Sequence, residues 1–362
     1  MEPLRLGIVG VGGMGGQHLT NAKDLEGVRF TALADARAAV VAAKSAEHGI
    51  PGFPSAEALI DSGLCEAVLI AAPHPYHAPI AEYAASKGLH VLTEKPIAVS
   101  VSEADRMIDA CERAGVLLGV MFQQRTMPLY RTAREIVESG ALGLLYRSTL
   151  VASGWNRTQT YYDSGDWRGT WKGEGGGVIM NQAPHHVDLF IWLGGSPTGV
   201  SSRVDRRWHR IEVEDTVEAL LDYGDGKTGY FYTTTSEWPG ETHFELAGES
   251  GKLEIVGERL RLYRFAKSLP EEIFNGPMWG KCDGEWQEIS YTPAPQSHAA
   301  VIAQFARAVK LGEPLVATGE DGRRALELAN ALLLSGNRQK PVSLPLDRDE
   351  YDTFLAEMRA GR

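Results

Sequence analysis

Cysteine is scarce and scattered in this sequence: Cys65, Cys111 and Cys282 are the three present, and no two have paired spacing. Neither a disulfide framework nor a thiolate metal site is expected, no other metal site is expected either, and a reducing cytoplasm is the simplest home. The opening Met1-Glu2-Pro3-Leu4-Arg5 lacks a basic n-region, an apolar h-region and a cleavage site, so neither export signal nor membrane span is expected. Positive charge is also short: 36 Lys and Arg stand against 47 Asp and Glu, a net charge of -11. Such a chain repels phosphate backbones and anionic lipid, which argues against nucleic-acid and membrane partners. No fixed-period repeat or low-complexity tract is present.

What is there suits a folded enzyme of ordinary size. The chain's 362 residues, 43% hydrophobic and 23% charged, exceed what one core usually organises, so two domains are expected. An apolar run from Leu4 to Val9 ends in Gly10-Val11-Gly12-Gly13-Met14-Gly15, and a helical pattern follows to about Leu25. Strand, glycine turn and helix in that order match a dinucleotide-binding turn. Glycine permits the tight bend and close approach of a pyrophosphate, while the helix N-terminus offers amides and a positive dipole. A purely structural glycine turn is the other reading of the same residues.

A second strand, Val28 to Ala34, ends at Asp35, some twenty residues beyond the last motif glycine. A carboxylate there can accept the hydrogen bonds of a ribose diol and repel a 2′-phosphate, favouring NAD over NADP. Arg37 leaves NADP possible, and Asp35 could alternatively cap the next helix. The alternation continues with strand 67–72, helix 75–87, strand 90–93, helix 102–114 and strand 116–122, which implies a parallel, doubly wound sheet. Ligands then sit beyond the carboxyl ends of the strands, where Ala72-Pro73-His74-Pro75-Tyr76-His77 and Glu94-Lys95-Pro96 fall.

These segments, with Gly88 to Pro96 and the block Gly175 to Leu189, resemble in order the motifs of the glucose-fructose oxidoreductase, inositol dehydrogenase and MocA family. The resemblance covers nearly the whole chain. It implies a Rossmann domain over residues 1–124 and, over 125–362, an open, mostly antiparallel sheet domain for substrate binding and for homodimer or homotetramer formation, with C-terminal helices returning toward the Rossmann domain. The residues agree independently. Strand-like runs occur at 144–152, 200–208, 216–223 and 227–235, with Gly224-Asp225-Gly226 as a hairpin signal, and another pair flanks Glu249-Ser250-Gly251. Helical spacing returns after about His298, with Val301, Phe305, Ala308 and Val309, and again from Arg323 to Leu334.

The resemblance further implies that Gly10, Gly12, Gly13, Met14, Gly15, Asp35, Ala72, Pro73, His74, His77 and Glu94 contact NAD, and that Lys95 lies beside the nicotinamide. A base for alcohol oxidation needs a pKa near the working pH, well below the ~10.4 of free lysine. One positive charge at 4 Å, with an effective dielectric near 20, costs about 4 kcal/mol, or roughly three pKa units, which suffices. A surface lysine paired with Glu94 is the alternative. His185 matches the family's catalytic histidine, and Pro184 suits the first turn of a helix there. His186 points about 100° away, so the two cannot serve equally; one is a substrate contact or a packed core residue. A metal site from His185, His186 and Asp188 is poor by geometry.

The chain departs from the commonest family pattern at Asn181, where aspartate is usual four residues before the histidine. An amide orients a hydroxyl but cannot tune a neighbour by charge, which points away from inositol toward other pyranoses. Asn181 could instead cap a helix. Arg125 resembles an active-site arginine at the domain junction, with a crossover ion pair as its alternative. The stretch carrying Trp155, Arg157, Tyr161, Asp166, Trp167, Arg168 and Trp171 offers flat faces and charged hydrogen bonds to a sugar. Trp167 and Arg168 are implied to reach cofactor or substrate. The expected activity is NAD-dependent hydride transfer at a ring hydroxyl of a sugar, glycoside or anhydrosugar. Its rivals are a redox-assisted glycosidase, an inositol or polyol dehydrogenase, and a non-catalytic nucleotide sensor.

Overall fold

The computed structural model describes residues 2–361, which divide into two compact units. The first comprises residues up to Thr126, then Gly173–Gly175 and Gln296–Leu326. Its elements are β1 (Leu4–Val9), α1 (Met14–Asn21), β2 (Val28–Ala34), α2 (Ala38–His48), β3 (Gly52–Phe53), α3 (Ala56–Ile60), β4 (Ala67–Ile70), α4 (His77–Ser86), β5 (His90–Thr93), α5 (Val101–Ala114) and β6 (Leu118–Val120). The strands pair in parallel in the order β3-β2-β1-β4-β5-β6, so the order reverses between β1 and β4. Continuous apolar runs such as Ala67–Ile70 are buried along their whole length because helices cover both sheet faces.

The second unit comprises Met127–Lys172, Gly176–Pro295 and Glu327–Arg362. It begins with α6 (Pro128–Glu138), β7 (Leu145–Ala152), α7 (Gln159–Tyr162), α8 (Val178–Asn181) and α9 (Pro184–Gly194). Six strands follow: β8 (Gly199–Asp205), β9 (Thr216–Asp222), β10 (Thr228–Thr234), β11 (Thr242–Gly248), β12 (Gly251–Val256) and β13 (Arg259–Phe265). After α10 (Leu269–Asn275) and β14 (Gly284–Glu288), the chain makes α11 (His298–Leu311), α12 (Gly319–Arg338), β15 (Val342–Ser343) and α13 (Arg348–Arg359). The nine-stranded order is β14-β13-β12-β11-β7-β10-β9-β8-β15, antiparallel throughout except for β7 against β10.

Strict alternation sets which face of this sheet is covered. In β9, Val217, Ala219 and Leu221 are buried while Glu218, Leu220 and Asp222 are exposed. The covered face packs on α9, whose Phe190 ring lies 5.6 Å from Phe231 and 6.0 Å from Phe244. Gly224 and Gly226, at φ +79° and +87°, make the turn between β9 and β10. In the first unit, α11 sends Val301, Ile302, Phe305 and Ala306 into the same apolar core as Leu4, Leu6 and Ile8.

Candidate functional site

The glycine turn is built for close approach. Gly10 adopts φ +87°, and a Cβ there would lie 2.7 Å from the Ala71–Ala72 peptide. A Cβ on Gly15 would sit 1.9 Å from the carbonyl oxygen of Gly10, so this residue fixes how tightly α1 closes on β1. Gly12, Gly13 and Met14 are exposed, and a Cβ on Gly13 would meet nothing within 4 Å. The N-terminus of α1 has neither a side-chain cap nor an acidic residue in its first turn. An open cradle of backbone at an uncapped helix start fits a pyrophosphate.

Asp35 follows β2 and is buried. Its Oδ2 accepts from Val11 N at 3.1 Å and from Arg37 Nη2 at 3.1 Å, while its Oδ1 accepts from Arg37 N at 3.0 Å and Nε at 2.9 Å. Burial would raise this carboxyl; the bonds from Arg37 and Val11 outweigh it and hold the group below its ordinary value. The cap reading is corrected here: α2 is preceded by Arg37, without a side-chain cap. Arg37 also lies over the turn, 1.9 Å from where a Gly12 Cβ would be. Asp35 can exchange the exposed arginine for a ribose diol, and the same arginine is at hand for a 2′-phosphate.

At the end of β5, Glu94 is buried with its Oε1 2.7 Å from His18 Nε2 on α1 and its Oε2 accepting from Lys95 N at 3.2 Å. Burial raises the Glu94 carboxyl, but the His18 bond and charge prevail and bring it to about 2. His298, on α11, completes the cluster with its ring 5.2 Å from that of His18. Neither histidine carries a sequence motif, and the burial of His18 against an acid 76 residues away has no local signature. Lys95 is half-buried and joined to Pro96 by a cis peptide.

Ala72 and Pro73 are half-buried and exposed at the end of β4. His77 Nδ1 and Nε2 meet the carbonyl oxygens of Pro96 at 2.9 Å and Ala72 at 2.8 Å, so the ring braces one loop on the other. His74 Nδ1 lies 3.1 Å from the Glu174 carbonyl, and burial brings its pKa down to about 3. Arg125 is buried and paired with Asp321 at 3.3 Å.

In the second unit, Glu214 accepts from Gly177 N at 2.9 Å and Ile179 N at 3.1 Å, holding α8 over β9. Asn181 ends α8, and Ala183 rather than Asn181 precedes α9, so the cap reading of Asn181 fails. Pro184 opens α9, and His185 and His186 follow, both buried. His186 Nδ1 accepts from Trp155 Nε1 at 3.1 Å, and burial lowers its pKa to about 4. Arg168 donates to Tyr161 OH at 2.6 Å and stacks on Trp167 at 4.3 Å. Arg157 lies over Tyr161 at 5.0 Å, and Asp166 is exposed.

Residues 4–122 match the oxidoreductase family with an NAD-binding Rossmann fold, and residues 130–254 match the GFO/IDH/MocA C-terminal domain. The chain is 28% identical over 336 residues to the rhizopine catabolism protein MocA of Rhizobium meliloti, covering 91% of this chain and 94% of that one. It is 33% identical over 271 residues to an inositol 2-dehydrogenase of Rubrobacter xylanophilus, covering 70% and 72%. The WlbA dehydrogenase from Bordetella pertussis, solved with NADH and UDP-GlcNAcA, superposes with a TM-score of 0.81 at 28% identity over 96% of this chain and 100% of that one. The open glycine cradle, the acid after β2 and the Glu94–Lys95 strand end thus sit in a chain that belongs to the GFO/IDH/MocA family of NAD-binding oxidoreductases.

Proposed function

We propose that this protein oxidises a ring hydroxyl of a sugar, glycoside or anhydrosugar. What carries the reading is the Glu94 carboxylate, which grips both the Lys95 amide and His18 of α1, and so ties the lysine to the helix that begins at the glycine turn. Bound NAD supplies the hydride acceptor. The carbinol carbon gives up hydride while its hydroxyl proton passes to the Lys95 amine; His185 hydrogen-bonds the same oxygen and relays the proton onward. Asn181 orients the hydroxyl without adding charge. Ala72, Pro73 and His74 border the cofactor, as do Trp167 and Arg168, while Arg157, Asp166 and His186 border the sugar. Dehydrogenase names among the relatives, including D-apiose dehydrogenase and myo-inositol 2-dehydrogenase, support this substrate class.

The test is to mix protein, NAD and a panel of sugars and glycosides. Steady growth of NADH absorbance is the expected result. Aglycone release without NADH would replace this reading with redox-assisted hydrolysis, and NAD binding without either would make the protein a sensor.

We also infer that the open face of the nine-stranded sheet joins copies into a homodimer or homotetramer, on the strength of Leu220, which stands 65% exposed there. Light scattering on the purified chain tests this, and a monomer would overturn it. Among the described residues no helix is long and apolar enough to cross a membrane; a cytoplasmic home is part of the same proposal.

A further inference from the structure

In a chain of net charge -11, the segment Arg206-Arg207-Trp208-His209-Arg210 carries three arginines and no acid. Buried Asp215 anchors it, accepting from Arg207 N at 2.9 Å, Trp208 N at 3.2 Å and His209 Nδ1 at 2.9 Å. A second stretch of the same unit is stitched to it. Arg210 N donates to Gln159 Oε1 at 2.9 Å, Glu212 N donates to Gly169 O at 2.9 Å, and His209 Nε2 meets Arg157 O at 2.8 Å. Gly169, at φ +66°, lets the walls close: a Cβ there would lie 2.7 Å from Ile211.

Between these walls runs a cleft of about 500 Å³ lined by Arg168, Arg206 and Arg210, with Tyr162 and Thr170 beside them. Two of the guanidinium groups are already oriented. Arg206 donates to Ile211 O at 3.0 Å, and Arg168 is fixed by Tyr161 OH and by stacking on Tyr161 at 4.4 Å. Among the described residues, none of the three lies within 4.0 Å of a carboxylate. The acids of the cleft are used elsewhere: Asp163 accepts from the Gln159 amide at 2.9 Å and Glu212 from Trp171 N at 3.2 Å. Tyr161 OH also meets Gln182 Nε2 at 3.1 Å, one residue from Asn181 and three from His185. Gln182 is buried, and its Oε1 has no hydrogen-bond partner among the described residues; buried Arg157 Nε has none either.

Three guanidinium groups outside any ion pair, facing one cleft whose two carboxylates are already hydrogen-bonded to an amide and a backbone N–H, suit a planar anion. We propose that this cleft seats an anionic substituent of the substrate, a carboxylate or phosphoryl group, so that a charged sugar is a better substrate than its neutral parent. The proposal rests on the sugar-dehydrogenase reading above and names the substrate class for it.

The experiment titrates NAD-loaded protein calorimetrically with a neutral hexose, its uronate, its hexose phosphate and a nucleotide-diphosphate sugar, and follows NADH formation on the same panel. Anionic sugars are expected to bind at least about tenfold more tightly than the hexose at low salt. Arg206→Gln combined with Arg210→Gln is expected to erase that advantage while leaving the neutral sugar's binding unchanged. The single change Arg210→Gln, at a guanidinium with no bond to the described residues, serves if the pair lowers Tm. The anionic sugar with the larger advantage identifies carboxylate or phosphoryl as the group bound. Equal affinity for neutral and charged sugars, no binding of any anion, or an advantage surviving both substitutions overturns the cleft. Tight anion binding that depends on these arginines, with no NADH from any sugar, overturns the dehydrogenase reading and spares the cleft; NADH formed equally well from neutral sugars does the reverse.

Discussion

His18 Nε2 and Glu94 Oε1 meet at 2.7 Å in the interior of the nucleotide-binding unit, far apart in sequence and both nearly fully buried. The Glu94 carboxyl, ordinarily near 4.5, is held at about 2. A depressed carboxyl contributes stability that is fully present above 4.5 and is lost as pH falls toward 2, roughly 3 kcal/mol over that window. Glu94→Gln is therefore expected to lower Tm at neutral pH and to flatten its dependence below pH 4.5. Calorimetric scans across pH check this, and curves that stay parallel to wild type would refute it.

The buried histidines act at a higher pH. His74, brought to about 3, and His186, brought to about 4, are neutral in the fold, whereas an unfolded histidine protonates near 6.5. Their contribution is complete above 6.5 and fades below it, so wild-type Tm should begin to fall between pH 6.5 and 4.5, before Glu94 titrates. His186→Phe should reduce that early fall; no change in slope there would count against neutral burial of His186.

Lys95→Met should lower kcat by about 10²–10⁴-fold, the usual worth of a positioned acid or base, with the Kd for NAD within about threefold of wild type. Stopped-flow NADH formation and cofactor titration measure the two separately. Turnover near wild type would remove Lys95 from the chemistry.

Asp35→Ala should weaken NAD by about tenfold and raise the relative efficiency with NADP, since a carboxylate that can accept from a ribose diol has gone. The ratio of kcat/KM for the two cofactors is the measurement. An unchanged ratio would refute the ribose role.

Gly15→Ala and Gly13→Ala should part company. The first places a methyl 1.9 Å from the Gly10 carbonyl oxygen and should cost about 2–4 kcal/mol, because backbone must move. The second meets no atom within 4 Å and should leave unfolding free energy within about 0.5 kcal/mol, while weakening NAD by crowding its approach. Chemical denaturation and NAD titration distinguish the pair.

Much of this was legible in the chain because periodicity and turn chemistry are local. The strand expected over 90–93 is β5, and those expected over 144–152 and 216–223 end within a residue of β7 and β9. Gly224 and Gly226 stand where a left-handed turn needs them. What stayed hidden depends on distant partners. His18 belongs to Glu94 only once α1 lies beside β5, and His77 becomes a brace only when two strand ends share its ring. Arginines 168, 206 and 210 face one cleft because Gly169 and Ile211 touch. Strand β14, which follows α10, gave no alternating pattern to read, since all of it is exposed.

The late arrival of α11 governs how the chain can be made. Val301, Ile302, Phe305 and Ala306 belong to the core begun by Leu4, Leu6 and Ile8, yet nearly 300 residues separate them. A ribosome that has delivered the whole parallel sheet has not delivered its last covering helix, so the nascent nucleotide-binding unit keeps one apolar face wet through most of translation. Its final consolidation waits for a segment that emerges after most of the other unit, and a fragment cut at residue 126 would meet water, or a chaperone, on that face.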